Sequence, residues 1–309
     1  MKYSFVLPAY KRDFLQDAID SILQQTYSNF ELIIVDDASP YHLESIVNQY
    51  KDQRITFYKR KENIGGRNLV QNWNECIKYA KGEYIILASD DDLYSPFFLQ
   101  QVNKRIEEYP NVDVIRSRVN RIDSKGTITD IEQVYKPYMP FSEFVFYWSK
   151  GIINCIANYV FKRTALLCTG VFFEMPCAWY SDDITVVNLA VNGVAMTEEA
   201  LFYFRTSDKS VSWTFNQETI KKKWIANGVF YNWLLDTIIP KMRELPQNDI
   251  ELLYQNNTMF NVRNRVKMMY SQLISHYPLS HFVDAIRMIM SIPFLYKKEK
   301  VHLLVDYLL

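Results

Sequence analysis

The chain has 309 residues, 49% of them hydrophobic and 23% charged, with 8 glycines and 11 prolines. That composition excludes disordered, collagen-like and membrane-spanning classes and leaves one large domain, or a domain with an extension. Lys plus Arg and Asp plus Glu both number 35, so no net field selects a nucleic acid as partner.

Cys76, Cys155, Cys168 and Cys177 show no CxxC spacing, and Met1-Lys2 leads into an apolar strand pattern without a signal-peptide core. A reduced, cytoplasmic protein is expected. No apolar run reaches the roughly 18 to 20 residues of a spanning helix, so any membrane contact is expected to be peripheral.

Up to Pro96, short β-rich runs alternate with helical patterns, which predicts a parallel sheet with crossover helices. Tyr3 to Leu7 reads as a strand, and Phe14, Ala18 and Ile22 with Leu15, Ile19 and Leu23 repeat at helical spacing. Phe30 to Val35 is almost wholly apolar, as for a strand covered on both faces, and ends in Asp36-Asp37. A helix near His42 to Tyr50 and a strand from Ile55 to Tyr58 follow. Gly65-Gly66 then opens a helix with Leu69, Trp73, Ile77 and Ala80 on one face and Gly82 as its expected stop. Tyr84 to Ala88 is the next buried strand, and it runs into Ser89-Asp90-Asp91-Asp92.

Beyond Pro96 the pattern predicts a helix to about Tyr109, a strand near Val112 to Ser117 and a turn at Asp123 to Gly126. Ile156 to Lys162 and Val194 to Arg205 read as strands, and Asp182-Asp183 stands before a helix from Ile184 to Val191. From Gln217 onward only helical patterning remains, with breaks expected at Pro240, Pro246, Pro278 and Pro293.

Two strands therefore end in acidic clusters, and ligands of open α/β sheets bind outside the carboxyl ends of the strands, which points both clusters at one crevice. Adjacent aspartates within about 4 to 6 Å raise one another's pKa unless a cation compensates. Mg²⁺ or Mn²⁺ would do so with one or two protein carboxylates, completing its shell with water and phosphate oxygens. The other reading of Asp90-Asp91-Asp92 is a solvated loop in which Asp92 faces the dipole of the helix at Ser95-Pro96.

Asp36-Asp37 is either a turn and cap or a hydrogen-bonding pair for a base or ribose edge. Arg67-Asn68 is either a solvated helix start or a cation source at the crevice. Asp182-Asp183 either caps its helix or supplies a general base that takes the proton of an attacking sugar hydroxyl. The four histidines are scattered, and none pairs with a nucleophile.

With these residues in view the chain resembles the family 2 inverting glycosyltransferases of the GT-A fold. SFVLPAYKRDFLQDAIDSILQQTYSNFELIIVDDASP is similar to that family's opening strand, first helix and second strand, and NIGGRNLVQNWNECIKYAKGEYIILASDDDLYSP continues the likeness through its acidic metal motif. GVFFEMPCAWYSDDITVVNLAVNG and YFRTSDKSVSW match more thinly.

The resemblance implies a GT-A catalytic domain over 1–215, with a nucleotide-binding half at 1–98 and an acceptor-binding half at 99–215, and a helical C-terminal extension over 216–309. It implies a mostly parallel central sheet flanked by helices. Pro8, Ala9 and Tyr10 would flank the nucleobase, Asp36 or Asp37 with Arg67 would contact it, and Asp90 would lie toward the ribose. Asp91, with Asp92, would hold Mn²⁺ or Mg²⁺, and Asp183, beside Asp182, would be the general base. The donor would be a nucleotide-sugar, UDP by default, with dTDP and GDP as alternatives, and the acceptor a glycan or a lipid-linked glycan of a bacterial surface polymer.

Three departures stand out: Ser89 replaces a common acidic residue, Asp182 a common Glu, and Ser207-Asp208 a region that often carries a His. The chain also lacks a Gln-x-x-Arg-Trp motif, which implies transfer of single sugars.

Lys221-Lys222-Lys223 and Lys297-Lys298-Glu299-Lys300 lie beside apolar helical runs. They either hold the protein on the inner face of an anionic membrane or are solvated lysines on helices packed against the catalytic domain or in a homodimer. A sugar nucleotidylyltransferase is a rival reading, but Pro8-Ala9-Tyr10-Lys11 stands where its glycine-rich phosphate loop belongs. A binding or scaffold protein that has kept the fold and lost turnover is another.

Overall fold

The computed structural model describes residues 1–206 and 214–308. It divides into two compact units, one of Met1–Phe144, Ile153–Glu174 and Ser181–Ser207, the other of Val145–Ile152, Met175–Tyr180 and Asp208–Leu309. The division is discontinuous: Val145–Ile152 and Met175–Tyr180 group with the C-terminal helices, where the sequence suggested one cut after residue 215.

The first unit begins with β1 (Tyr3–Ala9), α1 (Leu15–Leu23), β2 (Phe30–Asp36), α2 (Glu44–Val47), β3 (Ile55–Lys59), α3 (Leu69–Cys76) and β4 (Tyr84–Leu87). It continues through β5 (Leu93–Tyr94), α4 (Phe98–Glu108), β6 (Val114–Ile122), β7 (Ile128–Ile131), β8 (Tyr138–Met139), the first residues of α5 (Phe141–Lys150), whose remainder from Val145 groups with the second unit, then β9 (Tyr159–Lys162), α6 (Arg163–Cys168), α7 (Ser181–Leu189) and β10 (Val194–Arg205).

The strands form one sheet in the order β3-β2-β1-β4-β9-β6-β10-β5, with β7 added beside β6 and β8 beside β10. β3, β2, β1 and β4 are mutually parallel, as the alternation of strands and helices predicts. β9 runs antiparallel to both β4 and β6, so the half of the sheet beyond β4 is mixed, while β6 and β10 return to parallel pairing. Every residue of β2 is buried, which is why FELIIVD reads as one apolar run rather than an alternation. α1 turns Leu15, Ala18, Ile19 and Ile22 onto the sheet.

Gly82 does not stop α3, which ends at Cys76 and passes into a short 3₁₀ turn. Its role is close approach: a Cβ there would lie 2.7 Å from the Ser4 backbone nitrogen on β1. Asp182 and Asp183 fall inside the first turn of α7, not before the helix as expected. Asp92 does not cap the following helix; its carboxylate accepts the Arg205 backbone N–H at 2.9 Å. The strands β5, β7 and β8 and the helix α5 are not predicted from the sequence; β5 and β8, of two residues each, are too brief to show a period.

The second unit contains α8 (Gln217–Trp233), a π-helical stretch (Leu234–Ile238), α9 (Ile239–Arg243), α10 (Gln247–Gln255), α11 (Thr258–Ser275), α12 (Phe282–Met290) and α13 (Lys297–Leu308). Pro240 does not break the helix as predicted: it stands at the start of α9, directly after the π-helical stretch, and wider hydrogen bonding there accommodates its missing N–H. Trp148 is fully buried and packs edge-on against Phe230 and Trp233, with ring centroids at 5.9 and 6.4 Å. Tyr180 stacks on Phe230 at 4.0 Å and donates to Asn227 Oδ1 at 2.7 Å.

The basic run at Lys221 is only partly solvated, with Lys221 and Lys222 at the surface and Lys223 buried. Lys221 reaches Asp284 at 3.6 Å and Lys222 reaches Glu218 at 2.7 Å, while Lys223 is fully buried, donates to the Thr214 carbonyl and lies 4.4 Å from the Trp179 ring. No helix among the described residues is long and apolar enough to cross a membrane.

Candidate active site

The first unit places its chemistry where β1, β2 and β4 end. Asp90, on the loop after β4, accepts the backbone N–H groups of Tyr10 at 2.8 Å and Lys11 at 2.7 Å with one oxygen. That single carboxylate fixes the loop after β1 against the loop after β4. Burial, and then the Asp91 charge, push its pKa up to about 6.

Asp91 meets Lys11 Nζ at 2.7 Å through Oδ2, accepts the Ser89 hydroxyl through Oδ1, and its carbonyl takes Arg205 Nε at 2.8 Å. Asp92 is almost fully buried, and burial followed by the Asp91 charge holds its carboxyl well above the ordinary range. Burial pulls the Lys11 ammonium down, but Asp91 and Asp90 outweigh it and its pKa is raised. Three carboxyl groups thus gather around one ammonium, with burial opposing the ionisation of Asp90 and Asp92.

Arg205 organises the rear of this loop. Its guanidinium lies 4.1 Å from the Phe14 ring and donates to the carbonyls of Asp91 and Ser124. The Tyr-x-Arg stretch of the sequence thereby acquires a physical role.

At the end of β2 the two aspartates part company. Asp37 is consumed locally: its oxygens accept the backbone N–H groups of Ile64 at 3.0 Å and Gly65 at 2.7 Å, and Arg60 Nη1 lies at 3.3 Å. A Cβ on Gly65 would come within 2.9 Å of Asp37 Oδ2, so this approach needs glycine. Asp36 spends Oδ1 on the Ser39 N–H, whereas its buried Oδ2 has no hydrogen-bond partner.

Arg67 stands apart from both, 71% exposed and paired with Glu62 at 3.1 Å. The cation beside Asp37 is Arg60, which the sequence reading passed over. Pro8 and Ala9 lie opposite Val35 and Asp36 in the β1–β2 register, and Tyr10 is exposed and packs edge-on against Tyr41 with ring centroids 6.4 Å apart.

Asp183 Oδ1 accepts Asn154 Nδ2 at 2.9 Å, and its own N–H donates to Asp182 Oδ1. Cys155 ties this end to the acidic loop: burial and then the charges of Asp92, Asp182 and Asp91 hold its thiol well above the ordinary range. One side chain thus feels both acidic groups, so they share a neighbourhood. Ser207 and Asp208, where a further ligand was considered, lie outside the described residues.

Among the described residues, no group of three or more His, Cys, Asp or Glu side chains is arranged to hold a metal ion. The donor set nevertheless fits Mg²⁺ or Mn²⁺. All candidate donors are hard carboxylate oxygens, and such ions need few protein ligands when phosphate supplies the rest.

The family model "Glycosyl transferase family 2" matches residues 4–168. The Bacillus spizizenii poly(ribitol-phosphate) beta-glucosyltransferase is 38% identical over 212 residues, 66% of this chain and 32% of that protein. The Bacillus subtilis minor teichoic acid biosynthesis protein GgaB is 26% identical over 265 residues, 79% of this chain and 27% of that protein. An uncharacterized glycosyltransferase of Rickettsia typhi is 40% identical over 113 residues, 36% of this chain and 34% of that protein. The chain thus spans about a third of the length of these relatives.

Among solved structures, S. aureus TarS 1–349 in complex with UDP-GlcNAc aligns with a TM-score of 0.67 at 16% identity, over 99% of this chain and 89% of that one. Mannosyltransferase PcManGT from Pyrobaculum calidifontis, in complex with GDP-Man and Mn²⁺, aligns with a TM-score of 0.55 at 13% identity, over 99% of this chain and 86% of that one. A ten-stranded α/β sheet of this order, carrying its acidic groups at the strand ends, defines the GT-A architecture. The chain belongs to glycosyl transferase family 2.

Proposed function

We propose that this protein moves a single sugar from a nucleotide-diphospho-sugar, UDP-linked, to a hydroxyl of a glycan or lipid-linked acceptor, with inversion, in the synthesis of a bacterial surface polymer. The teichoic-acid name of one relative and the UDP-GlcNAc complex of one structural neighbour support the substrate class. The observation that carries the reading is the convergence of Asp90, Asp91 and Asp92 at the end of β4, a group of hard oxygen donors suited to a divalent ion and a diphosphate.

Asp91, with Asp92, would hold Mn²⁺ or Mg²⁺, which when bound stabilises the charge of the leaving diphosphate. Asp90 keeps the Tyr10-Lys11 backbone in place for the nucleoside. Asp36 Oδ2, buried and unpartnered, is the better-placed of the β2 pair to accept a base or ribose donor, since Asp37 is committed to the Ile64-Gly65 loop. Arg67, held by Glu62, takes no part in this account. Asp183 accepts the proton of the attacking hydroxyl.

Lys297 and Lys298, both exposed, would support peripheral contact with anionic lipid, which flotation with anionic vesicles tests. For the site itself the test is calorimetry of UDP binding with and without Mn²⁺. Tightening by Mn²⁺ that is lost in Asp91→Asn supports the reading, and equal affinity in both conditions refutes it.

A further inference from the structure

Behind Asp183 lies a buried chain of polar groups that the nucleotide site does not use. Arg116 is fully buried in β6 and pairs with Glu132 at 2.7 Å. The two clamp the backbone of Ile153: Arg116 Nη2 donates to its carbonyl at 2.5 Å, and its N–H donates to Glu132 Oε1 at 3.3 Å. Glu132 is held in turn by the Val119 N–H at 3.0 Å. The next residue, Asn154, is thereby presented from a fixed backbone.

Its amide has one consistent orientation. Ionised Asp183 only accepts, so the NH₂ group faces Asp183 Oδ1 at 2.9 Å, and the amide oxygen accepts the hydroxyl of fully buried Tyr159. The Arg116 guanidinium lies 5.7 Å from the Tyr159 ring and lowers that hydroxyl's pKa against the larger effect of burial, which raises it. The donors thus run in one direction, from Tyr159 through Asn154 to the carboxylate, with a buried cation behind them.

We propose that Asn154 is a positioning residue for transfer: seated on the Arg116–Glu132 clamp and oriented by Tyr159, it fixes the Asp183 carboxylate through Oδ1 in the orientation that proton abstraction needs. The proposal rests on Asp183 being the base. A carboxylate free to rotate would lose attack geometry, whereas donor binding at the β1, β2 and β4 ends would be untouched.

Among the described residues, Asp182 lies beside Asp183, and Tyr159, Arg116 and Glu132 stand behind it; the substitutions below leave all but Tyr159 in place. The experiment measures UDP release from a UDP-sugar that the wild type turns over, across pH, with UDP affinity determined on the same preparations. Asn154→Ala is expected to lower kcat about 10- to 100-fold with UDP affinity within about twofold, and Tyr159→Phe to lower it several-fold in the same way. Losing a donor to the ionised form raises a carboxylate's pKa, so the acidic limb of kcat moves to higher pH in Asn154→Ala. It moves furthest in Asn154→Asp, which is nearly isosteric and places a like charge beside Asp183.

Wild-type kcat and an unmoved acidic limb in both Asn154 variants, while Asp183→Asn abolishes turnover, would overturn the positioning role alone. Full turnover by Asp183→Asn would remove the base, and the positioning role with it. A loss confined to UDP affinity would mark Asn154 as merely structural and also overturn the proposal.

Discussion

Lys11 Nζ sits 2.7 Å from Asp91 Oδ2, so an ammonium of the protein occupies the carboxylate oxygen that a divalent ion would use. A metal bound there would compete with Lys11 for that oxygen and would leave the lysine to meet phosphate. In Lys11→Met, UDP binding without metal is expected to weaken by about 1 kcal/mol or more, while Mn²⁺ tightens it by a larger factor than in the wild type. Calorimetry of UDP with and without Mn²⁺ reads both effects, and an unchanged Mn²⁺ factor would separate Lys11 from the metal.

Arg205 holds the back of the same loop through the Asp91 carbonyl and the Phe14 ring. Arg205→Lys keeps the charge but cannot reproduce Nε and Nη contacts to separate carbonyls. It is expected to cost about 1 to 3 kcal/mol of stability by urea unfolding and to weaken UDP binding.

Gly82 tests the packing of the sheet itself. Gly82→Ala places a methyl 2.7 Å from the Ser4 backbone and is expected to destabilise the protein by about 1 to 3 kcal/mol in urea, with both β1 and the preceding turn forced to shift. A neutral result would contradict the close approach.

Lys223 gives a pH-dependent signature. Burial lowers its pKa from 10.5 to about 8. The folded chain therefore loses the proton near pH 8, while the unfolded chain keeps it until roughly pH 10.4. Across that window the unfolded state binds more protons, so stability of the wild type relative to Lys223→Met rises with pH, by on the order of 3 kcal/mol in all. Below pH 8 the difference is flat, with the buried ammonium at its full cost. Urea unfolding of the pair from pH 7 to 10.5 checks the sign.

The parallel half of the sheet was legible because buried parallel strands write themselves as apolar runs, and the runs at Phe30 and Tyr84 end at the acidic groups. The whole of β10, Val194–Arg205, was likewise readable. What the sequence withheld is pairing at long range. Nothing local distinguishes Arg60, which meets Asp37, from Arg67, which meets Glu62. Asn154 and Tyr159 lie in a stretch with no motif, and their link to Asp183 exists only once a loop and α7 are brought together. Lys223 looked like part of a basic surface run because helical phase, and not charge, decides which of three adjacent lysines is buried.

The most direct test of the account is UDP release by the wild type and by Asp183→Asn from the same UDP-sugar, with UDP affinity measured for both. The account predicts that the variant binds UDP as the wild type does and loses at least about 100-fold in turnover. Equal turnover by the two proteins would contradict it.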